Sequence, residues 1–272
     1  MAVYGSDLIA WSIGFYVNVL AMLFVMLRLW RRDRQMSANP SFYMYRSDIF
    51  MAVAYVLAIG NSMVVWPEIR RGSDDVRRSN SDFERLLLSK YLGDLLYTLS
   101  NGATKISITS FYIEQHHNLH PGRQDLVKAW RWATCWTVAF TWLYALQCQP
   151  FQKAWKADVE GMCINSTYVH ILQMSSSMFL DLFMLGIATM FMLLTRTNHL
   201  ELFIIVCAGL GVAAIDIYPT FMAATWADGL VRGTSYQGLI WPVIDLFMRI
   251  IYANTPFLYT VYMEHQVMKN PV

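Results

Sequence analysis

Seven long apolar runs divide the chain: Leu8–Trp30, Ser47–Pro67, Leu86–Gln115, Ala129–Gln149, Tyr168–Leu194, Leu200–Trp226 and Gly238–Tyr262. About 20 such residues cross a bilayer as a helix. Short polar segments separate the runs, and no internal repeat or low-complexity stretch interrupts them. The pattern predicts an all-α fold: a polytopic membrane bundle of seven transmembrane helices, one domain over residues 1–272.

The polar positions inside the runs change the picture. The last run reads GLIWPVIDLFMRIIYANTPFLYTVY and carries Asp245 and Arg249, four apart and so on one helix face. A charge at membrane depth costs at least about 2.5–3.5 kcal/mol on insertion scales, and it persists where it pairs or lines a polar cavity. Asp94 and Lys105 lie eleven residues apart in the third run. They share a face about 16 Å apart along the axis, too far to pair with each other. Asp181 sits near mid-depth of the fifth run, Asp216 in the sixth, and Glu68 at the end of the second.

Composition agrees with a membrane bundle. Hydrophobic residues make up 56% and charged residues 15%, and mean hydropathy is +0.34; soluble domains carry about 25% charged residues. The net charge of +2 says little about partners, and no basic domain or motif points to nucleic acid. The start, MAVYGSDLIAW, lacks the basic n-region of a cleaved signal. Lys and Arg are in slight excess in the first, third and fifth loops and the tail, which predicts a lumenal N-terminus and a cytosolic C-terminus in the endoplasmic reticulum. Asn165-Ser166-Thr167 is a glycosylation triplet in the fourth loop, meaningful only on the lumenal side. Cys148 and Cys163 flank that loop, where a disulfide would persist; the other reading leaves both thiols free.

The same loop reads CQPFQKAWKADVEGMCIN, a C-x-P-x4-W-x5-G-x-C spacing. It resembles the signature loop of the fungal rhodopsin-like integral membrane family. TKISITSFYIEQ from Thr104 resembles that family's third-span pattern, and Asp181, Asp245 and Pro256 fall where it shows acids and a later proline. The resemblance covers about Arg46 to Tyr262. The prolines that usually follow the fifth-span acid, and a long receptor-type tail, do not match, which weakens a signalling role. In length and in acid-plus-aromatic content the chain is also similar to short, tailless members of such families, the membrane-bound terpene cyclases of meroterpenoid pathways.

That likeness implies acid-initiated chemistry, and the residues offer a route to it. With Lys105 and Arg249 as the interior bases, at least two acids among Asp94, Asp181, Asp216 and Asp245 are left without a cation. Desolvation favours the protonated form of such an acid, and a protonated acid in an apolar pocket is a general acid. An epoxide or alkene of a prenylated substrate drawn from the bilayer would be protonated, and aromatic faces would hold the carbocation. The scheme requires no metal and no cofactor. Asp94, Asp216, Asp245 and then Glu68 are the candidate acids; Tyr97, Tyr218, Trp226, Trp241 and Arg249 are candidate pocket residues. The plain alternative is that Asp245–Arg249 and Lys105–Asp181 are ion pairs fixing helix register. The rival function is a seven-helix receptor or sensor without catalysis, with a transporter or structural membrane partner third.

Other signals carry less. A retinal Schiff base would need a lysine in the seventh run, which has none. Asp74-Asp75 with Asn80, Asp82 and Glu84 lacks the spacing of a diphosphate–magnesium motif and reads as a solvated loop. His116, His117 and His120 read as part of a charged loop.

Overall fold

The computed structural model describes residues 2–38, 46–71, 80–115, 120–156, 158–194, 203, 206–207, 209–211, 214 and 237–269. The fold is an all-α bundle of seven helices. They are α1 (Ala2–Ala38), α2 (Arg46–Arg71), α3 (Asn80–Gln115), α4 (His120–Ala145), α5 (Ser166–Leu194), α6, described as helical at the positions between 203 and 214, and α7 (Gln237–Lys269). Six of the expected spans are present, longer at several ends, and most of the sixth, Leu200–Trp226, lies outside the described residues. α3 starts six residues before Leu86, and α4 starts at His120 rather than Ala129, so the expected loop histidine His120 is helical. α4 ends at Ala145, before the expected Gln149.

By length and composition, Ser12–Arg34, Arg46–Glu68 and Ser166–Met190 are apolar enough to cross a membrane. α3 is not, because it is the polar axis of the bundle. Thr98, Ser100, Asn101, Thr104, Lys105, Ser107 and Thr109 are all buried on it. Many of its hydroxyls are satisfied within the helix: Thr98 donates to Asp94 O at 2.7 Å, Thr104 to Ser100 O at 2.9 Å and Thr109 to Lys105 O at 2.9 Å. This back-bonding lets hydroxyls enter a region without water.

Interhelical bonds set the directions. Ser100 donates to Ala54 O and Ser107 to Ser47 O, so α2 and α3 are antiparallel. α5 instead runs parallel to α3. Asp94 meets His170, Thr98 meets Gln173, Asn101 meets Ser177 and Lys105 meets Asp181, a ladder in near-constant register. α7 also runs parallel to α3, with Tyr97 on Asp245 near one end and Phe111 on Phe257 near the other. Where α3 crosses α4, Gly102 makes room for the Thr137 side chain: a Cβ on Gly102 would sit 2.1 Å from Thr137 Oγ1.

Between α4 and α5 a two-stranded hairpin pairs Cys148–Gln149 with Met162–Cys163, Cys148 opposite Cys163, and a disulfide joins these cysteines. The loop spacing now has a physical reading. Trp155 packs on Tyr91 of α3, ring centroids 5.5 Å apart. Gly161 is required because a Cβ there would meet Gln149 O at 2.3 Å. Asn165 is exposed and caps α5, its Oδ1 accepting from the Thr167 N–H at 3.0 Å.

Candidate functional site

The bundle's interior holds a charged cluster on three helices. Asp181 of α5 is bridged by Lys105 of α3 on one oxygen and Arg249 of α7 on the other. Arg249 Nε also donates to Asp245 Oδ2 at 2.8 Å, and the Tyr97 hydroxyl donates to that same oxygen at 2.6 Å. Lys105 Nζ lies 5.8 Å from the centre of the Trp136 ring. Two carboxylates therefore face two cations, and charge closes to zero. The helix spacing makes this possible: Asp245 and Arg249 are one turn apart, so a single guanidinium reaches both acids.

A small cavity of about 20 Å³ opens beside the cluster, lined by Asn101, Thr104, Lys105, Tyr112, Asp181 and Arg249 among others. That is room for one or two water molecules. Ligand pockets for drug-sized molecules run to roughly 300–1,000 Å³. Three buried side-chain oxygens have no hydrogen-bond partner among the described residues: Asn101 Oδ1, on the cavity-lining residue, Asp245 Oδ1 and, away from the cluster, Gln147 Oε1.

Of the acids expected to lack a cation, Asp181 takes both interior bases and Asp245 shares Arg249, while Asp94 meets His170, whose Nε2 is 3.2 Å from Asp94 Oδ2 and which is a cation only when protonated. The overlooked base is His170. Its signal was in the sequence: His170, Gln173, Ser177 and Asp181 follow helical spacing on one face of α5, matching Asp94, Thr98, Asn101 and Lys105 on α3. The plain ion-pair alternative for Asp245–Arg249 and Lys105–Asp181 describes the contacts found. Glu68 is buried in α2 and Trp241 half-buried in α7. Tyr97 joins Asp245; Asp216, Tyr218 and Trp226 lie outside the described residues.

A second charged group lies at the opposite end of the bundle from the hairpin. Arg28 and Arg32, one turn apart on α1, grip the two oxygens of Asp48 at 2.6 and 2.8 Å. Arg28 is fully buried, its guanidinium lying over the Phe111 and Phe257 rings. Glu114 accepts from the Ser47 hydroxyl at 2.6 Å, tying α3 to the start of α2. Arg28 falls just inside the first apolar run, Leu8–Trp30, and Asp48 lies two residues into its helix.

The fungal rhodopsin domain matches residues 10–264, nearly the whole bundle. The chain belongs to the fungal rhodopsin domain family. No curated protein and no solved structure matches it. In this fungal rhodopsin domain protein the C-x-P-x4-W-x5-G-x-C loop is the disulfide hairpin. Asp181 of the fifth span and Asp245 of the seventh are joined through Arg249.

Proposed function

We propose that this protein is a seven-helix membrane receptor or sensor without catalysis of its own, in which the cluster of Lys105, Asp181, Arg249, Asp245 and Tyr97 couples α3, α5 and α7. The observation that carries this reading is the bridging of Asp181 and Asp245 by Lys105 and Arg249 across α3, α5 and α7. A matched ion network has discrete arrangements, as a switching element needs. The hairpin end, with the N-terminus, faces the lumen or exterior, in keeping with its disulfide, and the endoplasmic reticulum is the membrane of residence.

The second reading is a terpene cyclase acting on a lipophilic prenylated precursor. It is favoured by one feature: Asp245 Oδ1 is buried without a hydrogen-bond partner among the described residues, a place where a proton fits. Membranes carrying the full chain, incubated with farnesylated epoxy-phenols, separate the two. The receptor reading expects no cyclised product. A cyclic product that disappears in Asp245→Asn would overturn it in favour of the cyclase.

A further inference from the structure

Beneath the hairpin, five side chains from three helices close a ring of hydrogen bonds that begins and ends on Asp94. The Thr98 hydroxyl donates to Asp94 O at 2.7 Å, and Gln173 Nε2 donates to Thr98 Oγ1 at 2.7 Å. The Tyr144 hydroxyl donates to Gln173 Oε1 at 2.6 Å. Tyr144 O and His170 Nδ1 are 3.0 Å apart, and His170 Nε2 reaches Asp94 Oδ2 at 3.2 Å.

The ring's protons can be counted. It has five links, and both of its ends are acceptors, a carbonyl and a carboxylate. Thr98 supplies one proton, Gln173 one toward Thr98, and Tyr144 one. The remaining two links need two more. A neutral imidazole supplies one; an imidazolium supplies both. Turning the Gln173 amide over does not help, because Thr98 then gives its single proton either to Gln173 or to Asp94 O. With a neutral His170 and an ionised Asp94, one link is always missing. The five links close only when the Asp94–His170 pair holds one additional proton.

We propose that the Asp94–His170 pair is a proton-binding site at the hairpin end of the bundle, and that losing its proton opens the ring and loosens the first turns of α5 from α3 and α4. Access is available: the Asp94 and His170 side chains keep 18% and 22% of their surface exposed, while Tyr144 and Gln173 are buried. Among the described residues, the titratable groups facing His170 are Asp94 from α3 and Tyr144 from α4. Tyr91, nearly a turn before Asp94, is engaged with Ala145 O. Asp245 of α7 is held by Tyr97 and Arg249, and Glu68 of α2 is buried toward the same end. An imidazole exchanges its proton between about pH 5 and pH 8. The sign follows from the count: the fifth link is present at the acid end of that window and lost as pH rises.

The test is hydrogen–deuterium exchange over residues 166–177 in the full chain in lipid nanodiscs, from pH 5 to pH 8. Rates are corrected for intrinsic exchange and referenced to α2. Wild type should lose about tenfold protection across the window, on the order of one hydrogen bond. Asp94→Asn should abolish the step and keep α5 protected at pH 8, because an amide donating to a neutral His170 restores all five links. His170→Gln should abolish the step with lower protection throughout. No step in wild type, or a step that survives in either variant, overturns the proposal. The readout is protection of one helix, so it stands or falls apart from the receptor reading.

Discussion

The ring beneath the hairpin and the cluster at mid-bundle are built on the same two parallel helices, only two to three turns apart, yet they meet opposite conditions. At mid-bundle, Lys105 and Arg249 balance Asp181 and Asp245, and the Arg249 guanidinium holds its charge throughout ordinary pH. Near the hairpin, Asp94 has only an imidazole to face, so its neutralisation depends on a proton that water can take back. Burial accompanies the division: the Lys105, Arg249 and Asp245 side chains keep 2–3% of their surface exposed and Asp181 15%, against 18% and 22% for Asp94 and His170.

The comparison breaks most severely at Asp181. Asp181→Ala leaves two buried cations facing each other and should cost about 3–5 kcal/mol, read as lost folded yield and a lowered Tm in detergent. Replacing Lys105 and Asp181 together by Met and Leu should cost less than Asp181→Ala alone. Cys148→Ser releases the hairpin that clamps α4 to α5 and should cost about 3 kcal/mol by chain-entropy reasoning. It should also lower protection of residues 166–177 at every pH. Tyr97→Phe removes the hydroxyl donated to Asp245 and should cost about 2 kcal/mol, the scale of a hydrogen bond to a charged group. Because that loss belongs to the balanced cluster, thermal unfolding of this variant should keep the wild-type pH dependence. Asn165→Ala removes the cap of α5 and should cost about 1 kcal/mol. It should raise exchange in the first turn while leaving the pH step at its wild-type midpoint; a shifted midpoint would tie the cap to the ring.

Much of the fold was legible before any coordinates. Runs of apolar residues long enough to span a bilayer announced the helices, since length and hydropathy are local properties. The loop motif was equally readable, because a cysteine pair, a tryptophan and a glycine at fixed spacing act within one short segment. Lys105–Asp181 and Asp245–Arg249 were named as pairs from depth and helical spacing. His170 was not legible, because it lies near a helix start and its role depends on which helix stands beside it. Nor was Asp48, whose two arginines come from the preceding helix.

Chain order alone determined seven helices, a membrane setting, a cysteine-flanked fourth loop and charges sealed inside. It did so because helix length, hydropathy and face periodicity are written within each segment. Only the tertiary structure decided that α3 lies parallel to α5 and α7, and hence that each of Asp94, Asp181 and Asp245 meets a base instead of standing alone. Whether a buried carboxyl is stranded is a property of its neighbours across the bundle. Those neighbours, 68 to 76 residues away for the contacts of Asp94 and Asp181, are brought together by packing that no single stretch encodes.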